Sequence, residues 1–415
     1  MRNDLKKDYS WNTLGVFAQN AISPLLLIVI TRLNGIGDSG TFSYAFSIAL
    51  IFFSFGVWGG RTFQVSDIKH EFSHHSYIMV RVILAIFMLG GAIIFSLING
   101  YDIIKTSTIV MLVLFKVVES VADSIHGILQ VHNRLFIVGK SLLYKAVCGF
   151  VGFVLVDVLT HNILLSCLAI VIANILLVIF YDIRIARNVE DLKIKTTQIK
   201  RHASSALVII RRTSPVFAVS FLAVFSLNIP RYFIDRYESD QIGYFGIIAM
   251  PITLIVLLMS FVLQPNVVQL SWLYSQAKYL EFKKIVTRLV LVTLGVGVLI
   301  LLAAFLLGVP VLHLVFGVSF ANYKAALLLM IAGGIASALG TVFINVLIIM
   351  RHFKAQFYTL LFTNVVLALV SASVVKAHGL LGGVSLFAAA NLLQIVLLVA
   401  TYNSILRKAS YAKEA

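Results

Sequence analysis

The sequence contains little charge. Only 12% of its 415 residues are Asp, Glu, Lys or Arg, whereas 60% are hydrophobic and the mean hydropathy is +0.99. Water-soluble domains carry roughly a quarter of their residues as charged side chains. The shortage of charge therefore excludes a soluble enzyme and predicts an integral membrane protein.

Cysteine and catalytic motifs are also scarce. The two cysteines, Cys148 and Cys167, lie inside apolar runs and are too few for a disulfide framework or a metal site. No HExxH, GxSxG or complete phosphate-binding loop is present. No cleavage site follows the first apolar run, so we expect the N-terminus to be retained. We predict no enzyme activity, no metal, no cofactor and no nucleic-acid partner.

Long apolar runs dominate the rest of the chain. A bilayer core about 30 Å thick needs around 20 mostly apolar residues per helix, and twelve runs meet that length. They are residues 11–31, 40–60, 79–98, 108–129, 142–158, 163–180, 215–233, 242–262, 286–307, 325–350, 357–375 and 380–402. The predicted fold is all-α, with twelve transmembrane helices in two six-helix lobes.

The basic residues predict which side of the membrane each loop occupies. Both termini and the even-numbered loops hold 26 of the 33 Lys and Arg residues, and the other side holds six. Since cytoplasmic loops are enriched in Lys and Arg, both termini and the even-numbered loops are predicted to be cytoplasmic. The one basic residue inside an apolar run and away from its ends is Lys116.

The longest loop divides the chain. Residues 1–180 are predicted to form an N-terminal lobe, residues 181–214 a basic cytoplasmic linker, and residues 215–415 a C-terminal lobe. Within the linker, residues 191–212 have apolar residues spaced loosely enough for an amphipathic surface helix whose basic side chains would face anionic headgroups. The alternative is an exposed basic linker whose charges only follow the topology rule. A weak internal repeat, Arg32 with Gly40 and Arg231 with Gly243, supports two related halves.

The fourth apolar run contains the sharpest candidate site. Its polar residues are spaced by three or four positions and share an arc of roughly 80° on a helix. They are Lys116, Glu119, Asp123, His126 and Gln130. Charged groups at membrane depth usually face a bundle interior or a hydrated cavity, so we expect this stripe to line a substrate path. The alternative is that its members pair and hold helices together.

Two further roles are predicted for polar residues. Glu119, Asp123 and His126 are candidates for proton coupling, because burial and mutual repulsion move carboxylate pKa values toward the working range. Arg231, beside Pro230 at the outer end of the seventh run, has a guanidinium suited to phosphate. The alternative for Arg231 is a side chain that reaches the headgroup level.

Several short motifs together resemble the polysaccharide flippases of the Wzx type, in the multidrug/oligosaccharidyl-lipid/polysaccharide (MOP) exporter superfamily. They are Asn12-Thr13, Gln19, Arg32-Leu33 with Gly35, Gly40, the segment Arg231 to Asp235, Gly243-Tyr244, and Leu314, Val315, Phe316, Gly317 and Phe320. The resemblance extends over nearly the whole chain.

The resemblance implies a multi-pass protein of the bacterial inner membrane. Such a protein moves an undecaprenyl-pyrophosphate-linked oligosaccharide, for O-antigen of lipopolysaccharide or a capsule-like polymer, from the cytoplasmic to the periplasmic leaflet. It implies alternating access, with Lys116 and Arg231 as candidate pyrophosphate ligands and with protons or another monovalent cation as the coupling ion. Implied partners are membrane lipids and the polymerase and chain-length proteins of the same pathway.

Three other functions compete with this prediction. A cation-coupled multidrug exporter of the same superfamily would use Glu119 and Asp123 to bind a cation or drug. A membrane glycosyltransferase or polymerase usually keeps a large outer loop, which is missing here. A major-facilitator sugar porter needs a GxxxDRxGRR-like loop after its second helix, and residues 59–63 do not supply one.

Overall fold

The computed structural model describes residues 2–67, 71–192 and 198–414. Within these ranges the chain is helical almost throughout and contains no strand, which confirms the all-α prediction. The first nine helices are α1 (Arg2–Leu33), α2 (Ile36–Val57), α3 (Gly60–Ser66), α4 (His74–Asn99), α5 (Ile103–Val131), α6 (Leu135–Thr160), α7 (Ile163–Leu177), α8 (Arg184–Ala186) and α9 (Ile199–Tyr237). The others are α10 (Ile242–Ile248), α11 (Met250–Ser275), α12 (Tyr279–Ala303), α13 (Val309–Phe316), α14 (Lys324–Ile349) and α15 (Phe353–Glu414).

Nine helical stretches in the described ranges are long and apolar enough to cross a membrane. The 29-residue α5 is not one of them, because its charged side chains interrupt the apolar sequence. One stretch, residues 354–408, contains a break at Gly379, whose φ of 55° ends one helix and starts another. The chain is therefore a multi-pass membrane protein, while the count of twelve and the orientation of the termini stay predictions.

The chain divides into two compact units, Met1–Val224 and Phe225–Ala415. The boundary falls within α9, which begins at Ile199 inside the segment that the sequence assigns to the linker. Residues 193–197 of that segment lie outside the described ranges. In unit 1, the first half of α9 packs against α2 and α4, where Phe217 stacks on Trp58 with ring centroids 3.6 Å apart.

Unit 1 is held together by a very close approach of α1 to α6. Gly15 of α1 and Gly139 of α6 face each other's backbone, so that a Cβ on either residue would overlap main-chain atoms of the other helix. In membranes, small residues allow helices to approach closely and gain van der Waals packing. This contact fixes the position of α1, which contributes a polar side chain to the site below.

Replacing Gly15 or Gly139 by alanine should force α1 and α6 apart. Overpacking of a well-packed contact costs about 1–3 kcal/mol, and the atoms met here are backbone atoms that cannot rotate away. We expect a clear loss of thermal stability in detergent for either variant. The matched control is Gly37→Ala, since no atom lies within 4 Å of a Cβ added there. Equal stability of all three variants would contradict the close α1–α6 contact.

Unit 2 has its own apolar core. Side chains of α11, α12, α14 and the second half of α15 form one buried cluster that includes Leu270, Phe282, Val346 and Tyr402. A smaller cluster joins the end of α9 to α15 through Ile229, Leu367 and Ala390. Each unit therefore buries a hydrophobic core of its own, as expected for an independent helical bundle.

Candidate functional site

The polar stripe of the fourth apolar run lies on α5. The helix begins after Asp102, whose carboxylate accepts a hydrogen bond from the Lys105 backbone N–H at 2.8 Å. It ends at Val131, and Asn133 just beyond it has a φ of 56°. Because the stripe residues recur every three or four positions, they lie along one face of α5. The structure places all of them inside unit 1, against α1, α2, α3, α4, α6 and the segment that follows α7.

Lys116 is buried among aromatic rings. Its Nζ lies 4.9 Å from the ring centre of Phe46, 5.2 Å from that of Phe53 and 4.8 Å from that of Phe115. The same ammonium donates to Glu119 Oε2 at 2.5 Å. Aromatic faces attract a cation and keep it partly desolvated. Lys116 is thus a charged group held at a fixed place within the bundle.

Glu119 connects α5 to α1. Its second carboxylate oxygen, Oε1, accepts a hydrogen bond from Gln19 Nε2. The Glu119 side chain therefore bridges a lysine of its own helix and an amide of the neighbouring helix. An incoming anion that bound Lys116 would have to displace or share this carboxylate.

Asp123 is bound by two arginines. Arg81 of α4, which is nearly fully buried, donates to Asp123 Oδ2 at 2.9 Å, and Arg61 of α3 reaches Oδ1 at 3.4 Å. Arg81 also donates to the Gly56 carbonyl at 2.6 Å and to the Val57 carbonyl. Those carbonyls end α2 just before the break at Trp58, where φ is 40°. Arg81 therefore joins a broken helix end to α5.

Gln130 extends the network toward the end of α5. Its Oε1 accepts hydrogen bonds from Arg61 Nε at 3.1 Å and from Nη2 at 2.9 Å. The Arg61 side chain is 28% exposed and Asp123 is 19% exposed. This end of the stripe is thus the more accessible one, and Arg61 is its most exposed cation.

His126 is buried and has partners in other helical segments than the rest of the stripe. Its Nε2 lies 3.1 Å from Ser141 Oγ and 3.5 Å from Asp182 Oδ2, and Asp182 also pairs with Lys145. Asp182 belongs to a single wide helical turn, Val178–Ile183, of the kind often found at functional sites. The histidine thus contacts α6 and this turn, and the other stripe residues contact α1 to α4.

Arg231 is in unit 2. It lies on α9, and its guanidinium carbon is 5.3 Å from the ring centre of Phe245. The structure therefore brings Lys116, Glu119, Asp123 and Gln130 into one polar region of unit 1, and it places Arg231 in a separate compact unit. Within the described residues, no group of three or more His, Cys, Asp or Glu side chains could hold a metal ion.

Several members of the site were missed from the sequence. They are Arg61, Arg81, Lys145 and Asp182. Gln19, which binds Glu119, enters the sequence analysis only as one motif of the family resemblance. The three cations lie in or beside predicted loops, where the topology rule alone accounts for them. A buried partner for Arg81 could have been predicted from the sequence. Arg81 is the third residue of the third apolar run, and a charged side chain within the membrane usually pairs with another polar group.

No family model matches this chain. Over 348 residues it is 25% identical to the capsular polysaccharide biosynthesis protein CapF of Staphylococcus aureus, with 80% of this chain and 84% of that protein covered. The fold is similar to an inward-facing multidrug resistance MATE family transporter of the MOP superfamily, with a TM-score of 0.72, 10% identity, and 95% and 96% of the two chains covered. It is also similar to the lipid II flippase MurJ in an inward closed conformation, with a TM-score of 0.71, 13% identity, and 96% and 90% covered.

At such low identity the structural matches establish the fold alone. The chain has the fold of MOP-superfamily transporters, which confirms the fold class and the resemblance that the sequence motifs predict. These structural relatives are transporters and a flippase, and the sequence relative takes part in polysaccharide biosynthesis.

Proposed function

We propose that this chain, with its MOP-transporter fold, is a flippase for a lipid-linked glycan in the bacterial inner membrane. Its substrate would be an undecaprenyl-pyrophosphate-linked oligosaccharide, an O-antigen or similar repeat unit. Translocation would run from the cytoplasmic to the periplasmic leaflet by alternating access. The capsular polysaccharide relative and the lipid II flippase fold support a lipid-linked glycan as the cargo class.

The observation that carries the proposal is an excess of positive charge along the polar stripe of α5. Three cations, Arg61, Arg81 and Lys116, pair with two carboxylates, Glu119 and Asp123, in two groups of contacts on this helix. The Lys145–Asp182 pair behind His126 is balanced and adds no net charge. A bundle interior with one uncompensated positive charge is costly unless an anion joins it. A pyrophosphate group is such an anion.

The three cations differ in how freely they can bind a phosphate. Arg81 is the least available, because it is almost fully buried and already donates to two backbone carbonyls and to Asp123. Arg61 has only a long 3.4 Å contact to Asp123 besides its bonds to Gln130, and it is the most exposed. Arg61 would therefore meet the pyrophosphate first, and Lys116 would hold it deeper in the membrane. The forked guanidinium suits bidentate contact with phosphate.

The membrane potential would assist this transport. An inside-negative potential favours outward movement of a negative headgroup by about 2.3 kcal/mol per charge per 100 mV. The hydrated glycan would follow the polar face of α5, while the polyprenyl tail remained in lipid. Membrane lipids, and polymerase and chain-length proteins that receive the product, are the partners that this role requires.

The competing multidrug exporter needs a carboxylate that is available to a cationic drug. Both carboxylates of the α5 stripe are already paired, Glu119 with Lys116 and Asp123 with two arginines. A drug cation would have to displace a fixed protein cation from a buried ion pair. The charge balance of the site therefore favours an anionic substrate over a cationic one.

Deletion of the gene in its host tests the proposal. We expect lipid-linked repeat units to accumulate on the cytoplasmic side and surface polymer to be lost, with both restored by the native chain. Intracellular accumulation of cationic dyes should not change. Normal surface polymer in the deletion strain, together with increased dye accumulation, would contradict the flippase and favour the exporter.

A further inference from the structure

One buried carboxylate in unit 1, Asp157, has no cationic partner among the described residues. Asp157 of α6 is completely buried, and its Oδ1 accepts a hydrogen bond from Asn34 Nδ2 at 2.9 Å. Its Oδ2 has no hydrogen-bond partner among the described residues. No Lys, Arg or His in the described part of the chain lies within ion-pair distance of it. Asn34 directly follows α1, so the site joins α1, α6 and α7.

The other inward-facing carboxylates of unit 1 differ sharply from Asp157. Glu119 pairs with Lys116, Asp123 pairs with Arg81, and Asp182 pairs with Lys145. An ionised carboxylate in a dry interior is costly unless a positive charge or several hydrogen bonds compensate it. Asp157 therefore lacks the cationic partner that each of the three paired carboxylates has.

Ser166 of α7 can form a hydrogen bond with Asp157 in either protonation state of the carboxyl group. Its hydroxyl oxygen lies 3.0 Å from Asp157 Oδ1 and 2.9 Å from the Asn162 carbonyl oxygen. A hydroxyl has one proton and can also accept one. When Asp157 is ionised, Ser166 donates to it. When Asp157 is protonated, the acid donates to Ser166, which then donates to the carbonyl of Asn162.

Few charged or titratable groups surround this cluster. Asp38 of α2 is half-buried and close enough to interact electrostatically with Asp157, and Cys167 of α7 is buried beside it. The exposed His161 lies with Nδ1 3.4 Å from Asn34 Oδ1. The buried surroundings of Asp157 thus contain a second carboxyl group and a thiol, and the exposed His161 lies where the cluster borders the helix ends.

We propose that Asp157 is a proton-binding site, loaded from the predicted outer side of the membrane. The step is a single proton transfer: water delivers a proton to a carboxylate oxygen, one O–H bond forms, and the charge on Asp157 changes from −1 to 0. The predicted topology places the α6–α7 connection on the outer side, where a proton that drives export would enter. This assignment differs from Glu119, Asp123 and His126, each of which has a charged partner.

Helix α1 offers a physical route from this site to the α5 cluster. Its Gln19 binds Glu119, and Asn34 at its end binds Asp157. Fifteen residues of helix separate the two, about 22 Å at 1.5 Å per residue. Because the Asn34 amide donates to the carboxylate, protonation of Asp157 weakens that bond and loosens the end of α1. The link to transport rests on the proposed function, whereas proton binding itself does not.

Infrared difference spectroscopy of the purified full-length protein tests the proton site without any substrate. We expect a protonated-carboxyl band that titrates with pH, is absent in Asp157→Asn and is unchanged in Asp240→Asn, an exposed acid of unit 2. Ser166→Ala, which removes the shared hydroxyl, should shift the pH midpoint of this band. A band that is unchanged in Asp157→Asn, that does not titrate, or that responds to sodium at constant pH instead would overturn the proposal.

Transport in proteoliposomes is the second experiment, and it tests whether proton binding at Asp157 is coupled to translocation. An acidic outer side should speed translocation of the lipid-linked glycan by the native chain, and Asp157→Asn should lose this stimulation while retaining movement without a gradient. If the native chain moves no glycan but the infrared band behaves as expected, the flippase proposal fails and the proton site stands. If glycan moves with the same gradient dependence in Asp157→Asn, the coupling role of Asp157 fails and the flippase stands.

Discussion

Lys116→Ala should reduce translocation of the lipid-linked glycan by about 10- to 100-fold, because a hydrogen bond to a charged group contributes about 1.5–3 kcal/mol. The Lys116 ammonium is held in place by Glu119 and by three aromatic rings. Its removal therefore takes away a positive charge at a fixed position on α5. The initial rate of movement in proteoliposomes is the measurement. Lys284→Ala, which removes an exposed lysine of α12, is the matched control and should leave the rate unchanged.

A second variant separates binding from folding. Lys116→Ala leaves Glu119 buried without its cation, which by itself destabilises the bundle. The double variant Lys116→Met/Glu119→Gln removes both charges, keeps side chains of similar length, and preserves the amide contact to Gln19. It should fold and still fail to move the glycan. A folded double variant that translocates at the native rate would refute a role for Lys116 in substrate binding.

Asp123→Ala should destabilise unit 1 by about 3–5 kcal/mol, the cost of leaving a buried charge without its partner. Arg81 is almost fully buried, and its position also fixes the carbonyls at the end of α2. The free energy of unfolding in mixed micelles is the measurement. The double variant Arg81→Met/Asp123→Leu should recover part of the loss, because the fully buried charge is removed and the remaining Arg61 is partly exposed to water.

An exposed ion pair provides the control for Asp123. Arg212 Nη1 lies 2.7 Å from Glu71 Oε1, and both side chains are about half exposed. Exposed pairs contribute at most about 1 kcal/mol, so Arg212→Ala should change stability by no more than that. If Asp123→Ala and Arg212→Ala have equally small effects, the buried network does not support unit 1.

The stripe on α5 could be predicted because its members are close in sequence. Lys116, Glu119 and Asp123 recur with the period of one helix, so a single segment reveals that they share a face. The fold class followed from the length and spacing of the apolar runs. The break at Gly379 lies between the eleventh and twelfth predicted runs. These features depend on local pattern alone.

The partners of the stripe could not be predicted, because they come from other helices. Asp123 meets Arg81 across 42 positions and Arg61 across 62, and Gln19 meets Glu119 across 100. Basic residues near loops obey the topology rule whether or not they also form buried pairs. The rule therefore explained Arg61, Arg81 and Lys145 before their structural role was known.

The role proposed for Asp157 could not be predicted from the sequence either. In the sequence it is one acid near the end of an apolar run, with nothing to separate it from Asp123 or Asp182. Its distinguishing property is that no cation approaches it, and this property depends on the packing of α1, α6 and α7. The spacing of residues along the chain does not show whether a cation lies near Asp157 in the folded protein.

The proposed function, movement of an anionic lipid-linked glycan across a membrane, is tested most directly with the purified chain alone. The measurement is translocation of a labelled undecaprenyl-pyrophosphate oligosaccharide in proteoliposomes that contain only this chain. We expect protein-dependent movement of the label to the opposite leaflet, faster with the potential negative on the side of origin. No movement under any potential, with efflux of cationic dyes from the same vesicles, would contradict it.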